Sequence, residues 1–169
     1  MLGVAPGLRS LAYSVVGFYE PDDRGDLIDA DVLRGTKAAP DANWAALLLK
    51  GRPHRLIMSV VFERNPPAAL ALGPPYSKKE PDLHVQSVRT LLQVMAQALK
   101  VPTLEYADKK TLLSVFPQTE TLRNIVLRHV RAESLEGNTA LLVATATAAA
   151  GALELRQALV SRATEGEKA

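Results

Sequence analysis

The 169 residues include no cysteine. The side chains that could carry out chemistry are therefore limited to carboxylates, lysines, arginines, hydroxyls and three histidines. The absence of cysteine excludes disulfides, thiolate nucleophiles, iron–sulfur clusters and cysteine-ligated zinc. His54, His84 and His129 are too scattered along the chain to form a metal-binding motif. We expect each of them at the surface or at a helix cap. The metal ligands that remain are carboxylate oxygens, which suit hard cations such as Mg²⁺.

The overall composition is that of one globular domain. Hydrophobic residues make up 47% of the chain and charged residues 22%, both ordinary proportions. We therefore predict a single domain over residues 1–162, followed by a frayed tail at 163–169. The net charge of +2 is a slight excess of basic residues, so bulk charge alone does not indicate a nucleic-acid partner.

The sequence also predicts a cytoplasmic protein with no membrane partner. The first residues lack a basic stretch, and Pro6-Gly7 interrupts any apolar run that could form a signal peptide. The most apolar stretch, residues 140–153, is too short to span a bilayer.

The first third of the chain predicts an antiparallel meander. Residues 2–4, 11–18 and 27–34 are rich in β-branched and aromatic residues or alternate apolar with polar ones, which is typical of strands. The first two are joined by the PGLRS turn, and the polar stretch EPDDRGD forms the second turn.

The rest of the chain predicts alternating strands and helices. The short apolar run LIMSVVF, residues 56–62, is typical of a central parallel strand buried on both faces. Asn138 is placed to N-cap a final helix that runs through Leu159. The other predicted elements are a helix at 40–51, a long proline-rich loop at 64–81, a helix at 82–100, a strand at 101–107, and helices at 108–116 and 119–131. We therefore predict an α/β fold with a mixed five-stranded sheet, three antiparallel strands then parallel ones, and helices on both faces.

Four segments in this order resemble the RuvC-type Holliday-junction resolvases of the ribonuclease H-like superfamily. They are LGVAPGLRSLAYSVV at the start, RPHRLIMSVVFE, LKVPTLEYADKKTLLSVF, and EGNTALLVATATA beginning at Glu136. Together they cover most of the chain. The resemblance implies a ribonuclease H-like fold and a nuclease in which four carboxylates hold two Mg²⁺ ions.

The positions that the resemblance assigns to these four carboxylates are largely without acids. The first-strand aspartate falls on Ala5 and the central-strand glutamate on Ser59. The pair on the final helix falls on Glu136 and Thr139, so only Glu136 keeps a carboxylate. A methyl group cannot bind Mg²⁺, and a neutral hydroxyl is a poor ligand. We therefore expect no catalytic residues, no bound metal and no cofactor, and we predict a degenerate, catalytically inactive member of the family.

A nucleic-acid surface does not need those carboxylates, because phosphates are bound by lysine, arginine and backbone amides. We therefore predict a pseudo-nuclease that binds structured or branched nucleic acid. Tyr76 is expected to stack on an unpaired base. The candidate nucleic-acid-binding residues are Arg9, Arg64, Tyr76, Lys78, Lys79, Lys109 and Lys110.

Two alternatives stay open. The chain could be a protein-interaction module, in which the apolar, proline-rich loop at 64–81 docks on a partner. It could also be an active Holliday-junction endodeoxyribonuclease with an unfamiliar ligand set around Glu136, and only then would Mg²⁺ be a cofactor. By analogy with the family, we further expect a homodimer formed through the helix at 82–100.

Overall fold

The core of the structure is a mixed six-stranded sheet with the strand order β5-β4-β1-β2-β3-β6. The computed structural model describes residues 1–7, 10–19, 24–34, 67–76, 82–116, 121–132, 135 and 137–166. Its strands are β1 Leu2–Gly7, β2 Ser10–Gly17, β3 Gly25–Arg34, β4 Leu70–Leu72, β5 Thr103–Glu105 and β6 Val130–Arg131. Its helices are α1 Asp82–Ala98, α2 Lys109–Ser114, α3 Leu122–His129 and α4 Thr139–Gly166. Helices pack on both faces of the sheet, so the predicted ribonuclease H-like α/β fold is confirmed, with six strands in place of five.

The predicted antiparallel meander is confirmed. β1 pairs antiparallel with β2, with Ala5 opposite Ala12, and β2 pairs antiparallel with β3. The alternation of side chains along a strand sends Leu2 and Val4 to one face of the sheet and Gly3 and Ala5 to the other. The first face packs on α1 and the second packs on α4.

The strand that pairs parallel with β1 corrects the prediction. It is β4, Leu70–Leu72, which lies inside the segment predicted as a loop at 64–81. Its residues are fully buried between β1 and β5, so this apolar stretch is not an exposed docking loop. The run at 56–62 that we predicted as the central strand, with Ser59, and the helix predicted at 40–51 lie outside the described residues.

The N-cap predicted for the final helix is present, and the helix runs past its predicted end. Asn138 caps α4, since its side-chain oxygen accepts a hydrogen bond from the Leu141 amide at 3.2 Å. Asp108 caps α2 and Thr121 caps α3 in the same way. α4 continues to Gly166, beyond the predicted helix end at Leu159, and the fraying predicted from residue 163 stays a prediction.

A buried arginine ties α1 to the carboxyl ends of the parallel strands. The Arg89 guanidinium donates to the carbonyl oxygens of Gly73 at 3.0 Å and Tyr106 at 3.2 Å. It also lies 3.5 Å from the Glu105 carboxylate. A buried charge is stable only when it is hydrogen-bonded in this way. These bonds from Arg89 fix the position of α1 against the ends of β4 and β5.

The packing of α4 on the sheet is closer than ordinary side chains allow. A Cβ atom added to Gly3 would lie 2.5 Å from the Ala148 amide nitrogen and closer still to the Ala144 carbonyl oxygen. The helix meets the sheet through alanines and threonines, among them Ala144, Thr147 and Ala148. Within this contact Thr145 Oγ1 donates a hydrogen bond of 3.0 Å to Ser14 Oγ, so the buried hydroxyls are satisfied.

Gly3→Ala is therefore expected to lower the free energy of unfolding by about 3 kcal/mol or more, because the added methyl group must displace the helix backbone. The matched control is Gly137→Ala. A Cβ there would touch nothing within 4 Å, but the backbone has a φ of +86°, so only about 1 kcal/mol of backbone strain is expected. Chemical denaturation of both variants checks the difference. Equal losses would contradict the close approach of α4.

Candidate functional site

The carboxyl end of β1 carries Ala5 into an apolar cluster. Ala5 is 0% exposed and packs with Ala12, Ala140, Val143 and Ala144. The last three residues belong to the first turns of α4. The place that the resemblance assigns to a metal-binding aspartate is therefore filled by methyl groups from two strands and a helix.

The residue level with Ala5 on the neighbouring strand is a glycine. β4 runs parallel to β1 with Leu72 beside Val4, and the Gly73 amide donates to the Val4 carbonyl at 2.7 Å. Gly73 is therefore the next residue along, beside Ala5. A Cβ on Gly73 would meet the Thr147 hydroxyl and lie 2.9 Å from the Val4 carbonyl oxygen. This register places Gly73 beside Ala5, whereas Ser59, which the resemblance assigns to the central-strand position, lies outside the described residues.

Thr139 opens α4 next to this cluster. It is the first residue of the helix and its side chain is exposed, whereas Ala140 beside it is buried against Ala5. The Asn138 side chain caps the helix just before it. Glu136 lies outside the described residues, so the carboxylate that the sequence retains has no described geometry.

The described residues at this place do not fit a two-metal centre. Ala5 and Gly73 provide no ligand atom, and Thr139 provides a neutral hydroxyl, whereas Mg²⁺ requires several oxygen ligands. Across the part of the chain that the structure describes, no group of three or more acidic or histidine side chains could hold a metal ion. No catalytic step at a metal can be derived from these residues.

Tyr76 lies against the same end of the sheet. Its ring is half-buried beside the Ala5 cluster, and its hydroxyl shares a hydrogen bond with Ser10 Oγ. A Cβ on Gly7 would collide with that hydroxyl, so the ring lies directly over the turn after β1. Tyr76 was predicted to stack on an unpaired base. In this structure its ring packs partly on the protein.

The two described lysines of the predicted nucleic-acid surface lie together. Lys109 and Lys110 are exposed in the first turn of α2, directly after the N-cap residue Asp108. Hydrogen bonds from the Thr111 amide and hydroxyl hold the pKa of the Asp108 carboxyl below its usual value. The other predicted residues of this surface, Arg9, Arg64, Lys78 and Lys79, lie outside the described residues.

The structure adds a group of arginines that the sequence analysis did not single out. Arg123 and Arg128 are exposed on α3, and Arg131 follows on β6. Arg24 reaches the carboxyl end of α3, where its guanidinium donates to the carbonyls of Leu127 at 2.8 Å and Val130 at 3.2 Å. One signal was available in the sequence. Residues 109–132 contain five lysines and arginines but a single acid, Glu120, although the whole chain carries only +2.

Ala5→Asp is expected to destabilise the protein, and increasingly so as the pH rises. Burial in the alanine cluster disfavours the charged carboxylate, so the folded-state pKa of Asp at position 5 lies above its unfolded value of about 3.9. The carboxylate-specific loss is therefore absent below about pH 4, grows with pH, and levels off above the folded-state pKa. Denaturation between pH 4 and pH 8 checks this, with Ala5→Asn as the uncharged control. Full rescue of the Asp variant by millimolar Mg²⁺ would contradict the apolar site.

The comparisons with known proteins place the fold. No protein-family model and no curated protein matches the chain. The chain resembles RuvC of Thermus thermophilus, solved in complex with a Holliday junction substrate, with a TM-score of 0.69 and 19% identity over 93% of this chain and 96% of that one. The yeast mitochondrial Holliday junction resolvase is similar with a TM-score of 0.55 and 14% identity, over 90% of this chain and 78% of that one. Fowlpox virus resolvase, solved with Holliday junction DNA, gives a TM-score of 0.51 and 15% identity over 94% and 97%. The chain thus has the fold of the RuvC-type Holliday junction resolvases.

Proposed function

We propose that this protein binds structured or branched nucleic acid on a RuvC-type fold without cleaving it. The observation that carries the proposal is the buried apolar cluster around Ala5, where the resemblance implies a carboxylate, with Gly73 following the β4 residue that pairs with Val4. Two of the similar structures are resolvases bound to Holliday junction DNA. None of the described helices is long and apolar enough to cross a membrane.

The absence of catalysis follows from the ligand set. Two Mg²⁺ ions close together need several carboxylates to offset their mutual repulsion and to hold them at a fixed separation. Ala5, Gly73 and Thr139 supply none. Glu136 alone would bind at most one hydrated ion weakly.

Nucleic acid is favoured as the partner because basic residues are concentrated on one part of the chain. Lys109, Lys110, Arg123 and Arg128 are all exposed on α2 and α3. Phosphate contacts require such side chains and no carboxylates. The Ala5 cluster also contributes no negative charge that would repel a phosphate.

Within the loop at 64–81 that the protein-interaction alternative requires, residues 70–72 form the buried strand β4 and cannot contact a partner. Homodimerisation through α1 stays a proposal. The side chains Val85, Val88, Leu92 and Ala96 are buried against the sheet, so that face is not available to a second copy. Val94, on the outer side of the same helix, is exposed and could contribute to a dimer contact.

Binding is expected to weaken steeply with salt, since each phosphate contact releases counterions. For a four-way DNA junction, the double substitution Lys109→Gln/Lys110→Gln should reduce the slope of log Kd against log salt by roughly one to two. The control Arg162→Gln removes an exposed charge near the far end of α4 and should leave the slope unchanged. Gel shifts over a salt series check both. Absence of binding to duplex, junction and RNA at low salt would contradict the proposed function.

Incubation of labelled four-way junctions with the protein and Mg²⁺ or Mn²⁺ is expected to yield no cleavage product. Cleavage that depends on the metal and disappears in Glu136→Ala would instead establish the nuclease alternative. Cleavage that survives in that variant would point to a contaminating nuclease. Repeating the assay on refolded protein distinguishes cleavage by a contaminant from cleavage by this protein.

A further inference from the structure

Three paired residues form a row across the edge of the sheet where β1 ends. Gly7 of β1 pairs with Ser10 of β2, and Ser10 pairs with Arg34, the last residue of β3. Cross-strand partners share one face of a sheet, so the side chains of Ser10 and Arg34 lie on the same face. Ala5, two residues before Gly7, also belongs to this face. We call Gly7, Ser10 and Arg34 the edge row.

The edge row borders the apolar cluster of the candidate site. One step inward on the same three strands, Ala5 pairs with Ala12 and Ala12 pairs with Val32, and all three pack in the cluster under the start of α4. A strand advances about 3.3 Å per residue, so the edge row lies about 7 Å further along the strands. Ser10 is half-buried and Arg34 is exposed. The surface therefore changes from apolar and covered to polar and accessible within one step of the strands.

The Arg34 guanidinium is not neutralised by the other residues of its strand. Among the described residues it has no hydrogen-bond or ion-pair partner. Asp31 and Asp29 of the same strand lie on the opposite face, because Tyr13 pairs with Asp31 in the core under α1 and its hydroxyl donates to Asp29 at 3.0 Å. The adjoining sequence is basic as well. Residues 1–19 include one arginine and no acid, and residues 32–40 include Arg34 and Lys37 and no acid.

The hydroxyl group beside Arg34 is held by a tyrosine. Ser10 Oγ shares a hydrogen bond with the Tyr76 hydroxyl, which lies over Gly7 where a Cβ would collide with it. When Tyr76 donates this bond, Ser10 keeps its own hydrogen for another acceptor. A phosphate oxygen only accepts, and a guanidinium binds a phosphate group with two parallel hydrogen bonds. A hydroxyl donor paired across the strands with an exposed guanidinium is therefore complementary to a phosphate.

We propose that Arg34 and Ser10 bind one phosphate of the nucleic-acid backbone, with Tyr76 orienting the Ser10 hydroxyl. This inference rests on the proposed function and makes it more specific, because it names two contact residues that the sequence analysis did not single out. It also gives the chemistry of the contact. A guanidinium on the same face as the Ala5 cluster supplies the positive charge that the resemblance assigns to metal ions.

The test measures binding of a four-way DNA junction by gel shift over a salt series. Arg34→Gln is expected to weaken binding at low salt by about tenfold, the loss of one charge-assisted contact, and to reduce the salt slope by about one. Arg34→Lys keeps the charge but not the paired hydrogen bonds, so it should keep the slope and lose only part of the affinity. Ser10→Ala should weaken binding about threefold at an unchanged slope. The matched control Arg162→Gln removes another exposed arginine and should change neither quantity.

A second measurement identifies the phosphate itself. Neutral methylphosphonate linkages are placed one at a time along the junction strands near the branch. At one position the substitution should weaken binding by the wild-type protein and have no further effect on Arg34→Gln, whose contact is already lost. Thermal unfolding of each variant confirms that it is folded, as expected at an exposed position. Arg34→Gln that binds like the wild type, or that responds to every methylphosphonate as the wild type does, would overturn the inference and leave the proposed function standing. Failure of the wild type to bind any nucleic acid would overturn both.

Discussion

The backbone of α4 packs directly against the backbone of the sheet at Gly3, and the rest of the structure depends on this contact. Gly3 admits no side chain because the backbone of α4 lies where a Cβ would stand, and Gly73 is limited in the same way by Thr147 and the Val4 carbonyl. Such an approach brings many atoms into van der Waals contact without any large side chain, since the contact surface is continuous. The alanines of α4 are therefore the residues that this packing requires.

The same contact determines what can stand at the candidate site. Because α4 is held so close to β1, its first turns lie over the carboxyl end of that strand, where Ala140 and Val143 pack on Ala5. A pair of carboxylates on β1 and β4 would lie side by side there, and without a metal each would raise the pKa of the other and cost stability. Alanine and glycine remove that cost and extend the apolar contact.

The elements that could be predicted from sequence are those with a strong local signal. The β1–β3 meander has apolar alternation, α1 has a helical apolar stripe, and Asn138, Asp108 and Thr121 cap their helices as such residues do. β4 could not be found in the same way, because it has three residues between proline pairs and is recognised only by its pairing with β1 and β5. The two-residue β6 likewise exists only through its pairing with β3. α4 continues past its predicted end because Arg162 and the residues after it, although polar, contain no proline to stop a helix.

The prediction at Ala5 and Thr139 needed only residue types, whereas Gly73 is recognised as the neighbour of Ala5 only from the strand register. The arginines of α3 were missed for a different reason. Their exposed side chains belong to a helix whose buried residues dominate its sequence pattern, and Arg24 reaches the end of that helix from the first third of the chain only through the fold. Acids at the centre of a nuclease repel phosphate unless metal ions screen them. Ala5 and Gly73, which are buried and uncharged, require no such screening. Under the proposed function, the uncharged residues at this place and the basic residues on α2 and α3 both favour binding of a phosphate backbone without a metal.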